Sequence, residues 1–174
     1  MLIDVHCHVT PKAFPESPTQ AVRDKWPCMQ CASNVEATLL IGEKPFRALD
    51  NRSWDVGRRT DDMERDGVSM QVLSPMPELL SYWLDLDAAQ VVCTHSNAQI
   101  AEMIAAAPSR FMGLGAVPLQ DPEAAAEMLL QLRDDFGLNG VEIGSNIDGK
   151  MLGDACFDPF WRAAEDLGMA VFVH

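Results

Sequence analysis

The chain has 174 residues, with 13 Lys and Arg against 26 Asp and Glu, a formal net charge of −13. So acidic a balance argues against nucleic-acid and anionic-membrane partners, which demand a basic face to displace counterions. Hydrophobic residues make up 48% and charged residues 22%, the composition of a chain that builds a core rather than of a disordered one.

No apolar run approaches the roughly 20 residues of a membrane span, and the opening Met1-Leu-Ile-Asp4 lacks the basic start and apolar run of a signal peptide. The expectation is a soluble, cytoplasmic protein. Five cysteines (Cys7, Cys28, Cys31, Cys93, Cys156) are an odd set without an export signal and read as reduced thiols. Cys28-Met-Gln-Cys31 has no partner pair to complete a zinc site and reads as two loop cysteines.

Taken in chain order, the pattern starts with an apolar strand at Leu2–Val5. Residues 11–54 then break the rhythm: the stretch is rich in proline, carries Trp26 and Trp54, and its alternating patches Glu36–Ile41 and Phe46–Leu49 suit a short antiparallel hairpin. Strand-to-helix insertions are where α/β proteins place substrate contacts, so this one is a candidate lid or pocket wall. A helix near Arg59–Asp66, a strand over Val68–Ser74, a helix over Asp87–Ala107 that stops before Pro108, and a strand over Phe111–Val117 follow.

Asp121-Pro122-Glu123 opens the next helix with an N-cap, a first-position Pro and an acidic first turn, and Gly137 ends it. A strand at Gly140–Ile143 leads to a helix capped by Asp158, opened by Pro159 and closed by Gly168, and then to a strand over Met169–His174. The strands read as apolar on both faces, as parallel strands covered on both sides must be.

Strands thus begin near residues 2, 68, 111, 140 and 170, separated by typical strand-helix units. The fold class is α/β, and the architecture expected is a TIM-type (β/α)8 barrel of which residues 1–174 cover the first five strands. A buried apolar strand at the end of the chain leaves an edge to cover. The expectation is therefore a longer chain, roughly 270 to 310 residues if eight units close the barrel. An open doubly wound sheet would instead show a Gly-rich phosphate loop, and Gly113-Leu-Gly115 is not a full fingerprint.

Of the four histidines, three stand at strand ends: His6 and His8 after the first, His174 at the fifth. The carboxyl ends of barrel strands converge on one face, so these imidazoles can reach one point. Residues i and i+2 of a strand project to the same side, which lets His6 and His8 chelate one ion while Cys7 points away. Three imidazoles that leave an open position describe a catalytic metal site. A His-x-His also arises by chance, and both readings stand on spacing alone. His95 falls inside the helix over Asp87–Ala107 and reads as a helix-surface or core residue.

Leu2-Ile-Asp-Val-His-Cys-His8 resembles the opening motif of the amidohydrolase superfamily, metal-dependent eight-stranded barrels in which a His-x-His follows strand one and another His ends strand five. Further stretches resemble its decarboxylating branch, the aminocarboxymuconate-semialdehyde decarboxylase family: Ile41-Gly-Glu-Lys-Pro-Phe-Arg47, Met63-Glu-Arg-Asp-Gly-Val-Ser-Met-Gln-Val72, Val117-Pro-Leu-Gln-Asp121, Gly140-Val-Glu-Ile-Gly144 and Val171-Phe-Val-His174.

The resemblance implies a zinc ion held by His6, His8 and His174, with an Asp ligand and a catalytic His expected beyond His174. It implies that Arg47 binds a substrate carboxylate, with a contribution from the other subunit of a homodimer. One departure stands out. The family's Lys directly after the Gly is Glu43 here, with Lys44 one place later, so either a small shift restores Lys44 to the substrate or the substrate differs. On the residues alone, Arg47 is equally a solvated surface charge.

Zinc in such a site lowers the pKa of bound water towards ~7 and stabilises developing negative charge. The implied activity is a zinc-dependent decarboxylase of a small unsaturated or aromatic carboxylic acid. The alternatives are a hydrolase of a lactone or amide in the same superfamily, and a non-catalytic fragment. No Ser-centred or Cys-centred triad can be assembled.

Overall fold

The computed structural model describes all residues from Met1 to His174. In chain order the elements are β1 (Ile3–Val9), β2 (Pro27–Cys31), β3 (Glu36–Ile41), β4 (Lys44–Asp50) and α1 (Val56–Asp66). Then come β5 (Met70–Pro75), α2 (Leu86–Ala106), β6 (Phe111–Gly113), α3 (Pro122–Asp134) and β7 (Gly140–Ile143). A short hairpin of β8 (Asn146–Ile147) and β9 (Lys150–Met151) precedes α4 (Asp158–Leu167) and β10 (Ala170–Val173). No helix is long and apolar enough to cross a membrane.

The fold is α/β. Strands β1, β5 and β6 form a parallel sheet in that order, and β7 pairs in parallel with β10. A parallel bridge from Gly115 to Val141 joins the two groups, so the parallel strands follow one another in chain order. Only close packing lets the middle of this array form. A Cβ on Gly113 would stand 2.5 Å from Ile100 of α2, so glycine is what permits the helix to lie against β6.

Strand β6 is shorter than the expected Phe111–Val117, and the reason is a side chain. Buried Asn97 of α2 donates through Nδ2 to the Ala116 carbonyl at 3.0 Å and accepts from the Ala116 amide at 2.7 Å. Those are the backbone groups that a continued ladder would have used.

The insertion is a three-stranded antiparallel sheet, ordered β2-β3-β4, rather than a two-stranded hairpin. Cys28 pairs with Leu40 and Cys31 with Ala37, so the cysteines expected in a loop lie on an edge strand, both exposed. Proline at the first residue of an edge strand costs no ladder bond, and Pro27 occupies that place. Leu39, fully buried, packs with Trp26, Val22 and the α2 residues Ala88, Ala89 and Val92. This second core clamps the insertion to α2. His95, also on α2, adds a tie at 2.7 Å from Nε2 to the Ala13 carbonyl.

Helix starts follow the expected grammar at α3, where the Asp121 side chain accepts from the Ala124 amide. At α4 the expected Asp158 cap is a correction. Asp158 has helical dihedrals, with φ −50° and ψ −41°, so it is the first helical residue; Phe157 stands at the cap position without a side-chain bond. Asp158 instead faces Arg162 across one turn at 3.7 Å. Gly168, in the left-handed region at φ 63°, closes α4 as its sequence position predicts.

The main core lies between the parallel strands and α2, α3 and α4, with Leu73, Phe111, Leu129, Leu132, Val141 and Phe160 fully or almost fully buried. All of β7 is buried. Full cover on both faces does not extend to the outer strands: Ile3 and Val5 of β1 are 40% and 55% exposed, and Val173 of β10 is 48% exposed.

Candidate metal centre

Three imidazoles from the two ends of the chain meet at the carboxyl ends of the parallel strands. The expected strand Leu2–Val5 in fact runs on to Val9, so His6 and His8 lie within β1 rather than beyond it. The register with β5 slips between Asp4 and Cys7, a bulge at Val5 and His6. Bulges re-aim side chains. Here Cys7 turns into the core at 6% exposure, while His6 and His8 share the other side with their Nε2 atoms 3.0 Å apart. His174 follows β10 and keeps its register, its amide donating to the Ile143 carbonyl at 2.9 Å. Its ring centroid is 5.1 Å from those of His6 and His8. One ligand nitrogen from each histidine lies within 4.8 Å of the others.

Do these residues fit a divalent ion? Zinc–nitrogen bonds of ~2.0–2.1 Å in a tetrahedron place donor atoms about 3.4 Å apart, close to the His6–His8 separation. The tautomer of His8 is fixed in the sense a ligand needs. Its Nδ1 lies 3.0 Å from the Pro75 carbonyl, which can only accept, so Nδ1 carries the proton and Nε2 presents its lone pair. Burial is the main cause that lowers the His8 pKa, and His6 and His174 lower it further against the raising effects of Pro75 and Glu78. A neutral imidazole is the ligand form. The residues fit.

The surroundings of His8 were not foreseen from the sequence. Arg59 of α1, 9% exposed, donates to the Arg52 carbonyl, the Gln71 side chain and the His8 carbonyl, each at 2.9 Å. Ser74 Oγ lies 3.2 Å from His8 Nδ1. Glu142 Oε2 stands 3.8 Å from the same nitrogen, with its side chain wholly buried. Burial raises the Glu142 pKa, and Ser74 and His6 pull it back only in part. The signal for Glu142 was present: it is the one charge in the apolar strand Gly140-Val-Glu-Ile143.

Of the two expected carboxylate binders, Arg47 pairs with a carboxylate that acts on His8, and Lys44 lies elsewhere. Arg47 on β4 pairs with Glu78 at 2.7 Å, and Glu78, just after β5, is one of the charges that act on His8. Lys44, exposed at the start of β4, lines a different hollow with Gln20, Arg23, Asp24 and Glu43. Arg47 is linked to the histidines through Glu78.

The amidohydrolase family model matches residues 3–174. The chain belongs to the amidohydrolase family. Within it, the chain is 35% identical over 172 residues to 2-amino-3-carboxymuconate-6-semialdehyde decarboxylase of Dictyostelium discoideum, covering 99% of this chain and 48% of that protein. It is 28% identical over 147 residues to gamma-resorcylate decarboxylase of Polaromonas sp., covering 80% of this chain and 45% of the relative. Among solved structures, 5-carboxyvanillate decarboxylase of Sphingomonas paucimobilis superposes with a TM-score of 0.74 at 26% identity, covering 99% of this chain and 51% of that one. The enzyme of the same name from Novosphingobium aromaticivorans, complexed with manganese, gives a TM-score of 0.67 at 31% identity over 71% of this chain and 36% of that one. The chain thus spans about half the length of the curated relatives that it matches.

Proposed function

We propose that this amidohydrolase chain is the N-terminal part of a zinc-dependent decarboxylase that acts on a small unsaturated or aromatic carboxylic acid. In this reading β1, β5, β6, β7 and β10 are the first five strands of an eight-stranded barrel. The observation that carries it is the convergence of His6, His8 and His174 within 4.8 Å at the strand ends. Support for decarboxylation over other amidohydrolase reactions comes from the relatives, named as decarboxylases of aminocarboxymuconate semialdehyde and gamma-resorcylate. A solved neighbour carries manganese; a set of three imidazoles suits zinc equally.

When bound, the ion would supply Lewis-acid stabilisation of negative charge developing on the substrate. The protein's own residues do the rest of what these 174 positions hold. His8, locked by Pro75 and Arg59, keeps one nitrogen aimed at the shared point. Arg47 offers the planar fork that suits a carboxylate. Half of its side chain remains exposed beside Glu78, so a substrate carboxylate can compete with Glu78 for the guanidinium. Lys44, on the same strand, would add long-range attraction only.

The test is evolution of carbon dioxide from 2,6-dihydroxybenzoate and from 2-amino-3-carboxymuconate 6-semialdehyde by the zinc- or manganese-loaded full-length protein that contains this chain. Gas in step with substrate loss is the result expected. Cleavage of a lactone or amide offered beside them, with no gas from either acid, would transfer the protein to the hydrolases, and a metal-loaded full-length protein that turns over neither acid would contradict the reading.

A further inference from the structure

Glu142 has no partner for its charge. It sits in β7, whose four residues are all buried; neither carboxylate oxygen has a partner in good hydrogen-bond geometry, and the Ser74 hydroxyl is the donor that favours its charged form. No arginine or lysine pairs with it; the one basic side chain within 4 Å is His8, at 3.8 Å through Nδ1. A buried carboxylate left so is costly, and structures keep one only where a positive charge or donor compensates it.

Its place in the site is behind His8, not among the ligand atoms. His8 Nε2 faces His6, whereas Nδ1, on the opposite flank of the ring, faces Pro75, Ser74 and Glu142. The Nδ1 proton goes to the Pro75 carbonyl, which leaves the Ser74 hydroxyl free to turn its proton toward the carboxylate. Ser74 is 1% exposed, so no bulk water competes for that corner.

We propose that Glu142 is a positioning residue of the metal centre: its negative charge behind His8 steadies the ring against Pro75 and offsets part of the charge of a divalent cation held by His6, His8 and His174. Carboxylates set behind metal-bound imidazoles raise ligand basicity and fix orientation, and removing one weakens metal affinity about 10- to 100-fold. The proposal rests on the metal reading above.

The test titrates zinc against a competing chromophoric chelator for the wild-type chain, Glu142→Gln and Glu142→Asp, and melts each protein free of metal. Gln keeps the shape and removes the charge. The expected result is zinc affinity lowered at least tenfold in Glu142→Gln with a metal-free Tm no lower than wild type, since an uncompensated buried charge has been relieved. Glu142→Asp, which keeps the charge one methylene further off, should fall between. Affinity of Glu142→Gln within twofold of wild type overturns the proposal, as does equal loss in the Asp and Gln variants. A Glu142→Gln chain that fails to fold without metal overturns it as well, because the residue would then be a purely structural one. Wild-type chain that binds no zinc sinks the metal reading itself, a distinct outcome.

Discussion

Arg59 on α1 donates through Nη2 to the carbonyl oxygen of His8 at 2.9 Å, fastening a helix to the very residue that faces the histidine cluster. With bonds to Arg52 and Gln71 as well, one guanidinium satisfies three acceptors in a nearly dry place. Arg59→Leu should leave those acceptors unpaired and lower unfolding stability by about 3 kcal/mol, read from the urea midpoint. Arg59→Lys should recover only part, because a point charge cannot span the fork. A midpoint unchanged in Arg59→Leu would mean that other donors replace the guanidinium.

Arg47 is held at 2.7 Å by Glu78 yet remains half exposed, an arrangement suited to exchange of one carboxylate for another. Arg47→Ala should raise the KM for a carboxylic-acid substrate about 10- to 100-fold, the worth of a charge-assisted bidentate contact, and change kcat less. Initial-rate kinetics of carbon dioxide release separate the two constants. Unaltered KM would make the Arg47–Glu78 pair a surface feature.

The thiols divide by burial. Burial pushes Cys7 and Cys93 up to about 12, so both stay protonated and unreactive across neutral and mildly alkaline pH. Cys28, Cys31 and Cys156 are exposed. A disulfide exchange reagent at pH 8 should therefore label the three exposed thiols quickly, and all five only in denaturant. Raising the pH should speed the exposed set alone. Rapid labelling of all five in the folded chain would contradict the packing of β1 and α2.

How legible was this in the sequence? Elements whose signals are local were read well: the Asp121 cap and the Gly168 stop act within one turn, and β5, β7 and β10 are short, mostly apolar runs. Apart from the Asp158 cap, which is one residue off, what failed depended on distant partners. The end of β6 is set by Asn97, 19 positions away in sequence, and β2 was hidden because proline and cysteines mask alternation on an edge strand. The histidines were legible because strand spacing and strand-end position are periodic facts. The Arg59, Ser74 and Glu142 surroundings of His8 were not, since only the pairing of β1 with β5 and the array leading to β7 brings them together. The lone charge in Gly140-Val-Glu-Ile143 was a visible clue that no local rule could interpret.

The direct test of the whole account is zinc stoichiometry, by elemental analysis after equilibrium dialysis, in the wild-type chain and in His174→Ala. The convergence of His174 on His6 and His8 predicts a single tightly held ion per wild-type chain and its loss at the same free zinc when the His174 imidazole is removed. Zinc retained at full stoichiometry by His174→Ala would show that strands β1 and β10 do not share an ion, and the assignment of the centre would fall.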